Sequence, residues 1–268
     1  MVEINTIFNE DCCETMKRMP DNFVDLVVTS PPYDSLRKYN GYSFDFESIA
    51  KELFRVVKEG GTVVWIVGDA TIDGSETGTS FKQALYFKDE CNFKLHDTMI
   101  YRKTTPLPLN IETRYNACFE YMFILVKGKI KTFHVNQVPT KNPGMEYRVK
   151  RDNNTSNGGG AINTKDKEYT CKPTKNEDNV WDISPTGMHE YCGHPASFSE
   201  QMASKHILSW SNEKDLVYDP FIGSGTVAKS CIKYRRNFIG SEISKDYCDI
   251  AMNRISVDLQ QEDILDCS

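Results

Sequence analysis

Short runs of β-branched and aromatic residues recur along the chain and predict buried strands. Several of these runs are apolar at consecutive positions, which is typical of strands that are covered on both faces. The runs lie at residues 25–30, 62–67, 94–103, 121–128, 215–221 and 237–244. We therefore expect a central sheet that is enclosed between other layers.

Between these runs, two stretches carry apolar residues at helical spacing. Residues 44–59 predict a helix that stops at Gly60 and Gly61, and residues 197–210 predict a helix that opens on a serine cap. A third helix is predicted to begin near Thr226, after a glycine turn. Strands that alternate with helices indicate an α/β fold with a layered sheet.

Residues 136–180 interrupt this alternation. The segment is rich in Asn, Thr, Gly and Lys and shows little periodicity. We interpret it as a module inserted between residues 1–135 and residues 181–268.

Composition excludes several classes of protein. With 268 residues and 39% hydrophobic side chains, the chain can bury a large core. It has no basic, apolar leader and no membrane-length apolar run, so a cytoplasmic protein is expected. The nine cysteines are scattered, which favours reduced thiols. Cys192 and His194 lack a second ligand pair, so no metal site is predicted.

The net charge is unevenly distributed. The chain carries −6 overall, but residues 127–175 hold eleven Lys and Arg against four Asp and Glu, a net charge of +7 that leaves −13 elsewhere. A basic segment on an acidic body suits contact with nucleic-acid phosphates, although a solvated lysine-rich loop would have the same composition.

The sequence LVYDPFIGSGTVAKSC, residues 216–231, combines a predicted strand with a glycine turn and a helix start. Such a turn lets a ligand approach bare backbone, and the helix N-terminus favours an anionic group. Glu242 ends the next predicted strand about 20 residues further on, where a carboxylate can accept both hydroxyls of a ribose. The glycine spacing matches neither a dinucleotide fingerprint nor a P-loop. These features predict a site for a nucleoside cofactor.

A second motif, TSPPY, ends the predicted strand at residues 25–30. Together, DPFIGSGT with Glu242 and TSPPY resemble the S-adenosylmethionine-dependent DNA methyltransferases that act on exocyclic amino groups. The segments HPASFSEQM, DTMIYRKTTPLP and CFEYMFILVKGK extend the resemblance to nearly all the chain except about residues 136–180. The catalytic motif precedes the glycine motif, as in the β class of that family.

The resemblance implies a Rossmann-like methyltransferase fold with a doubly wound, mostly parallel sheet and a permuted order of motifs. The strands at residues 25–30 and 215–221 would then lie side by side where the strand order reverses, and ligands bind at such a point. It also implies cofactor contacts, with a core role for Phe198 equally expected. The implied cofactor residues are Asp11, Cys12, Pro195, Phe198, Asp219, Phe221, Gly223, Ser224, Gly225, Thr226 and Glu242.

Ser30, Pro31, Pro32 and Tyr33 suit the implied reaction. The lone pair of an exocyclic amine is delocalised into the base, so acceptors that pull on both N–H bonds would make the nitrogen a better nucleophile. The Ser30 hydroxyl and a Ser30 or Pro31 carbonyl can act as those acceptors, and the prolines hold them rigidly. Tyr33 would stack on a base flipped out of the duplex.

Phosphate contacts are expected from basic residues at one strand end and in the insert. They are Arg102, Lys103, Arg148, Lys150, Arg151, Lys165 and Lys167. Duplex DNA is the predicted partner, and residues 136–180 are the predicted target-recognition region. The sequence does not decide the recognised site, a second copy of the chain as partner, or a cognate restriction enzyme.

Thr29 and Ser30 precede the prolines where many adenine enzymes have Asp-Pro-Pro-Tyr, which favours N4 of cytosine as the methylated atom. The runner-up is N6 of adenine, because Thr/Ser-Pro-Pro-Tyr also occurs there. Methylation of cytosine C5 needs a Pro-Cys pair, which this sequence lacks. An inactive nucleic-acid-binding module, and methylation of RNA or of protein glutamine, are the alternatives from other classes.

Overall fold

The computed structural model describes residues 2–32, 44–105, 113–149, 167–185 and 199–266, without the side chains of residues 148, 149, 167 and 257–266. It divides into a main unit, Met1–His134 with Asn179–Ser268, and a small unit, Val135–Asp178. The prediction that three sequence segments have separate roles stays a prediction.

The strands of the described residues are β1 Thr6–Phe8, β2 Val24–Thr29, β3 Val57–Val67, β4 Thr71–Ile72, β5 Ser75–Glu76, β6 Lys94–Lys103, β7 Phe119–Val126, β8 Gln137–Pro139, β9 Glu146–Val149, β10 Lys167–Thr170, β11 Thr174–Asn176, β12 Val180–Ile183, β13 Leu216–Asp219 and β14 Asn237–Ser241. The helices are α1 Cys12–Arg18, α2 Phe46–Val56, α3 Thr79–Asp89, α4 Glu200–Trp210, α5 Thr226–Lys233 and α6 Lys245–Asp266.

Eight strands of the main unit form one sheet in the order β1-β14-β13-β2-β3-β7-β6-β12. Only β7 runs against its neighbours, β3 and β6, and the other adjacent pairs in this sheet are parallel. The strand order reverses between β13 and β2, which are direct neighbours although most of the chain separates them in sequence. The predicted mostly parallel sheet is confirmed.

Helices cover both faces of this sheet. Side chains of β2 alternate between two hydrophobic clusters: Leu26 and Val28 pack with residues of α4, α5 and α6, whereas Val27 packs with residues of α1, α2 and α3. Since successive side chains of a strand point to opposite faces, the two clusters are the two sides of the sheet. The doubly wound α/β arrangement is therefore confirmed.

The predicted end of α2 at Gly60 and Gly61 is wrong. The helix ends at Val56, and both glycines lie inside β3. The buried Lys127 Nζ donates to the carbonyl oxygens of Phe54 (2.7 Å) and Val57 (2.9 Å), so a side chain that directly follows β7 satisfies carbonyls that the helix end leaves unpaired. A distant cation, and not the local glycines, sets this helix end.

The other two predicted helices are present. Ser199 stands at the cap position of α4, but its side chain makes no capping hydrogen bond, and the helix begins with the Ala203 N–H donating to the Ser199 carbonyl at 3.0 Å. As predicted, α5 begins at Thr226 directly after the glycine turn.

The small unit contains two antiparallel strand pairs, β8 with β11 and β9 with β10. The rings of Tyr147 and Tyr169 stack across β9 and β10 with centroids 5.7 Å apart, and both side chains are exposed. Such cross-strand aromatic pairs stabilise short two-stranded sheets.

No helix among the described residues is both long enough and apolar enough to cross a bilayer. The seven cysteines of the described residues are all free thiols.

Candidate functional site

The ends of β2 and β13 bring the two sequence motifs together. Leu26 is paired with Val217 and Val27 with Tyr218 in parallel register. Ser30 therefore leaves the sheet beside the loop that follows Asp219, at the carboxyl ends of the strands. Open α/β sheets bind ligands at this edge, where the strand order reverses. The predicted meeting of two motifs almost 190 residues apart is confirmed.

The turn after β2 is closely held against the protein. Ser30 is half-buried, Pro31 is buried and Pro32 is half-buried. The prolines have fixed φ angles and no N–H to compete for acceptors, so the oxygens of Ser30 and Pro31 are presented with little freedom. Tyr33, the last residue of the predicted catalytic motif, lies outside the described residues.

The loop from Asp219 to Gly225 is built by backbone hydrogen bonds. The Ile222 N–H donates to the Ser241 carbonyl at 3.0 Å, and the Gly225 N–H donates to the Ile222 carbonyl at 2.9 Å. Phe221 is partly buried and meets the ring of Phe44 edge-on, with centroids 5.7 Å apart. These hydrogen bonds fix the loop to β14 without the help of a ligand.

Two glycines allow this loop to approach its neighbours. Gly225 has φ +82°, and a Cβ there would lie 3.0 Å from Ala251 Cβ. A Cβ on Gly240 would lie 2.3 Å from Ile222 Cδ1, so a side chain in the middle of β14 would displace the loop. Gly240 was not predicted as a site residue, although a glycine inside a strand signals close backbone approach.

Glu242 forms the floor of the loop from the end of β14. Its carboxylate is almost fully buried and accepts hydrogen bonds from the Gly223 N–H (3.0 Å) and the Ser244 N–H (2.8 Å). Burial raises the pKa of Glu242, and these N–H groups oppose that rise. Each carboxylate oxygen has capacity for a further hydrogen bond. The group can therefore receive two hydroxyls, as the sequence predicts.

Asp219 links the loop to the Ser30 turn. Its Oδ1 accepts a hydrogen bond from the Thr29 hydroxyl at 2.6 Å and another from the Phe221 N–H at 3.0 Å. Burial raises the pKa of Asp219 to about 7, and the nearby Glu242 adds to the rise. Within this structure Asp219 organises the protein around the site, and Thr29 is a contact that the sequence analysis missed.

The start of α1 lies beside the same edge. Asp11 caps the helix by accepting from the Cys13 N–H at 2.8 Å, and Cys12 is buried. Asn9 Nδ2, from the loop before α1, donates to the Glu242 carbonyl at 2.9 Å. The predicted cofactor residues Asp11 and Cys12 are thus held near the end of β14. Asn9 was missed because nothing in its local sequence marks this contact.

A buried chain of hydroxyls anchors α1 to the sheet. The Tyr218 hydroxyl lies 2.9 Å from Ser241 Oγ, which donates to Thr15 Oγ1 at 2.8 Å, and Thr15 donates to Glu10 at 2.6 Å. Buried polar networks of this kind fix one arrangement of the surrounding elements. They hold the helix that carries Asp11 and Cys12 in place.

Asp11, Cys12 and Cys13 also form the one group of three potential metal ligands among the described residues, with ligand atoms within 4.8 Å of one another. The Asp11 carboxylate already serves as the helix cap, and the Cys12 thiol is buried, where deprotonation is costly. The arrangement does not favour a metal ion.

Ser224 and Thr226 contact an arginine that the sequence analysis missed. Arg254 Nη1, from α6, donates to the Ser224 carbonyl (2.5 Å) and hydroxyl (3.0 Å) and lies 3.4 Å from Thr226 Oγ1. These hydroxyls, predicted to contact the cofactor, are engaged by the protein. Arg254 therefore supports the glycine turn from α6. No sequence motif identifies this arginine.

Arg102 and Lys103 end β6, three strands from β2 and thus about 14 Å along the sheet. Arg102 forms a two-pronged ion pair with Asp182, with 2.6 Å between Nη2 and Oδ2, and Lys103 pairs with Glu120 at 2.7 Å. A phosphate would compete with these carboxylates for each cation.

The remaining predicted site residues fall outside the description. Arg148 is paired with Glu168 in the β9–β10 sheet, which also contains Lys167, but the side chains of Arg148 and Lys167 are not described. The predicted site residues that lie wholly outside the described ranges are Pro195, Phe198, Lys150, Arg151 and Lys165, together with Tyr33.

The chain matches known methyltransferases over most of its length. A family model described as DNA methylase, covering the N6 and N4 enzymes, matches residues 24–253. The orphan methyltransferase M.BamHII of Bacillus amyloliquefaciens is 50% identical over 241 residues, which cover 88% of this chain and 89% of that protein.

Solved structures share the fold. PvuII DNA methyltransferase (cytosine-N4-specific) superimposes with a TM-score of 0.71 at 19% identity, covering 95% of this chain and 87% of that one. The M1.HpyAVI–SAM complex has a TM-score of 0.62 at 25% identity and covers 93% of this chain and 98% of that one. The structural likeness supports the Rossmann-like arrangement, and the second of these structures contains S-adenosylmethionine.

Proposed function

Because the chain belongs to the family of N6/N4 DNA methylases, we propose that it transfers a methyl group from S-adenosylmethionine to the exocyclic N4 amino group of cytosine in duplex DNA. The family uses S-adenosylmethionine, and DNA methylation is its reaction. The observation that carries the proposal is the junction of β2 and β13, which places Ser30 beside the glycine loop.

The residues of the glycine loop fit this cofactor. Glu242 offers a buried carboxylate to the ribose hydroxyls, and Phe221 offers a partly exposed ring to the adenine. The bound cofactor supplies an electrophilic methyl group on a sulfonium. Gly223 and Gly225 keep side chains away from the space beside the loop backbone. Asp11 and Cys12 lie at the neighbouring strand end, where the adenine ring would extend.

Ser30 would act on the target amine. Its hydroxyl oxygen and the carbonyl that precedes Pro31 can accept hydrogen bonds from the two N–H groups of the flipped base's amine, which localises the nitrogen lone pair for attack on the methyl group. Stabilisation of the positive charge that develops on nitrogen depends on oxygens held in place before the reaction. The buried Pro31 provides that rigidity.

The choice of cytosine N4 rests on Thr29 and Ser30 before the prolines, where many adenine enzymes carry aspartate. A carboxylate there would accept strongly from the amine, whereas the hydroxyl of Ser30 is a neutral acceptor. The family model includes N6-adenine enzymes, so N6 of adenine is the second candidate.

The first prediction identifies the methylated base. Purified protein incubated with S-adenosylmethionine and unmethylated DNA of diverse sequence should produce N4-methylcytosine, detected by mass spectrometry of the nucleosides. N6-methyladenine in its place would overturn the choice of base and leave the reaction class intact. Neither product on any DNA, with cofactor binding intact, would contradict DNA as the substrate.

We further propose that the insert at residues 136–180 recognises the DNA, because most of it falls within the basic segment at residues 127–175. The exposed, stacked Tyr147 and Tyr169 add aromatic surface to the same small unit. Lysine and arginine contacts to phosphates release counterions, which makes binding dependent on salt. The recognised bases depend on side chains that reach base edges.

The second prediction tests this role through salt dependence. Replacing four basic residues of the insert by glutamine should weaken duplex binding and flatten the slope of log affinity against log salt by up to about 3.6 units, at about 0.9 for each phosphate contact. The measurement is fluorescence anisotropy over a salt series. The four residues are Lys150, Arg151, Lys165 and Lys167.

A matched control removes the same number of charges from the main unit at exposed helix positions. It replaces Lys17, Lys88, Lys233 and Lys245 by glutamine. The control should leave the salt slope nearly unchanged. An unchanged slope in the insert variant would mean that residues 136–180 are a solvated loop and that DNA is held elsewhere.

A further inference from the structure

The last residue of β2, Thr29, has a hydroxyl where the rest of the strand end is apolar. Thr29 is fully buried, and Val27 and Val28, which precede it, are fully buried aliphatic residues. A valine of the same shape would fill this position without a hydroxyl to desolvate. Since a buried hydroxyl is unfavourable unless it is hydrogen-bonded, its partner indicates its role.

That partner is the carboxylate of Asp219, on the neighbouring strand. Thr29 Oγ1 donates to Asp219 Oδ1 at 2.6 Å, and Asp219 is 4% exposed. The same oxygen accepts the Phe221 N–H at 3.0 Å, which starts the glycine loop. A hydrogen bond to a carboxylate in a buried site is stronger and more directional than one in water. One oxygen atom therefore fixes both the strand end before Ser30 and the first turn of the loop.

We propose that Thr29 is a positioning residue, which through Asp219 sets the glycine loop that receives the cofactor in register with the Ser30 turn that receives the base. The inference rests on the proposed function for the identity of the two ligands. It assigns Thr29 no contact with cofactor or substrate. The hydroxyl acts by holding the loop and the turn in one arrangement.

The charge of Asp219 gives this role a measurable signature. Burial raises the pKa of Asp219 to about 7, the Thr29 and Phe221 hydrogen bonds oppose the rise, and the charge of Glu242 adds to it. The Cys231 thiol of α5 also faces this carboxylate, and its pKa is raised mainly by burial. As pH falls through about 7, Asp219 becomes neutral and accepts hydrogen bonds less strongly. Cofactor affinity should fall with it.

Removing the Thr29 hydroxyl removes a hydrogen bond that favours the charged form of Asp219. The pKa of Asp219 should then rise further, and the acid-side loss of cofactor affinity should move to higher pH. A residue with only a packing role would lower stability without moving this pH dependence.

The third prediction compares Thr29→Val with Thr29→Ser. Binding of S-adenosylhomocysteine is measured by calorimetry on both sides of neutral pH. It should be roughly 5- to 100-fold weaker for Thr29→Val, and the acid limb, the pH range over which affinity falls on acidification, should lie at higher pH. Thr29→Ser keeps the hydroxyl and should retain both the affinity and the limb. Thr29→Val with wild-type affinity and an unmoved limb would overturn the proposal.

Asp219→Asn provides a second test that does not depend on the folding of Thr29→Val. This variant keeps an acceptor oxygen without a titrating charge, so the part of the acid limb that Asp219 contributes should disappear, and any remaining pH dependence belongs to Glu242. An acid limb in Asp219→Asn that is identical to that of the wild type would overturn the proposal. Adding Thr29→Val to Asp219→Asn should then cause no further shift in the pH dependence of cofactor binding. These measurements need no DNA, so a failure to methylate DNA would contradict the proposed function without affecting this result.

Discussion

Gly225→Val should lower cofactor affinity by at least about 100-fold, because it displaces the loop on which the ligand would rest. Gly225 has φ +82°, which a side chain adopts at a cost of about 1–2 kcal/mol, more for a β-branched one. Its Cβ would also lie 3.0 Å from Ala251 Cβ, in α6, and overpacking of this kind costs about 1–3 kcal/mol. Calorimetric titration with S-adenosylhomocysteine measures the affinity, and thermal unfolding measures the accompanying loss of stability.

Gly78 offers a matched control for the backbone term. It also precedes a helix, α3, with φ +64°, but a Cβ there would meet nothing within 4 Å. Gly78→Ala and Gly225→Ala therefore share the backbone strain, and only the second adds crowding. Gly78→Ala should keep cofactor affinity. Wild-type affinity for Gly225→Val would mean that the ligand does not use this loop.

Ser30→Ala and Tyr33→Ala should lower kcat while leaving cofactor binding nearly unchanged. Loss of one preorganised polar group that acts on the developing charge costs on the order of 100-fold in rate. Loss of an aromatic ring that stacks on a flipped base costs about 1–3 kcal/mol, and its effect should appear in the steps that require the extruded base. Single-turnover methylation at saturating cofactor, with a parallel cofactor titration, separates these effects.

Ser75→Ala, in the exposed β4–β5 hairpin, controls for removal of a serine hydroxyl without touching the Ser30 turn. It should methylate DNA at the wild-type rate. If Ser30→Ala did the same, the Ser30 hydroxyl would have no part in activating the amine, and the backbone carbonyls of the turn would have to serve alone.

The architecture and the meeting of the two motifs were predictable from sequence. Continuous apolar runs identified β2, β3 and β13, and the order of the motifs implied that β2 and β13 are neighbours, as the register confirms. Glu242 was predicted as a site residue from its spacing. A carboxylate at the end of the strand that follows a glycine turn is a local pattern with a known distance along the chain.

The supporting contacts of the site were not predictable, because each joins positions that are distant in sequence. Arg254 reaches Ser224 from α6, Asn9 binds the Glu242 carbonyl, and Thr29 donates to Asp219. Each follows from how helices and strands pack, which periodicity alone does not specify. The wrong end of α2 has the same origin, since Lys127, directly after β7, caps it.

Arg102 shows the limit of assigning roles to charges from sequence. Its position at a strand end suggested a phosphate contact, but Asp182 lies directly opposite in register and pairs with it. Exposed ion pairs of this kind contribute little to stability, so the pair could yield to a phosphate. The sequence shows that Arg102 is a cation, but only the register of β6 and β12 shows that Asp182 pairs with it.

The order of strands has a consequence for synthesis of the chain on the ribosome. β13 and β14 lie between β1 and β2, so the first strand made has no neighbour in the sheet until residues up to 241 have emerged. Likewise, the β13 side of β2 has no neighbour until residues up to 219 have emerged. Closing such long-range contacts is slow, and an unpaired apolar strand edge promotes aggregation in the meantime. The part of the sheet that contains the β2–β13 junction is therefore the last to assemble. A nascent chain that stops before β13 exposes the β2 edge to other chains.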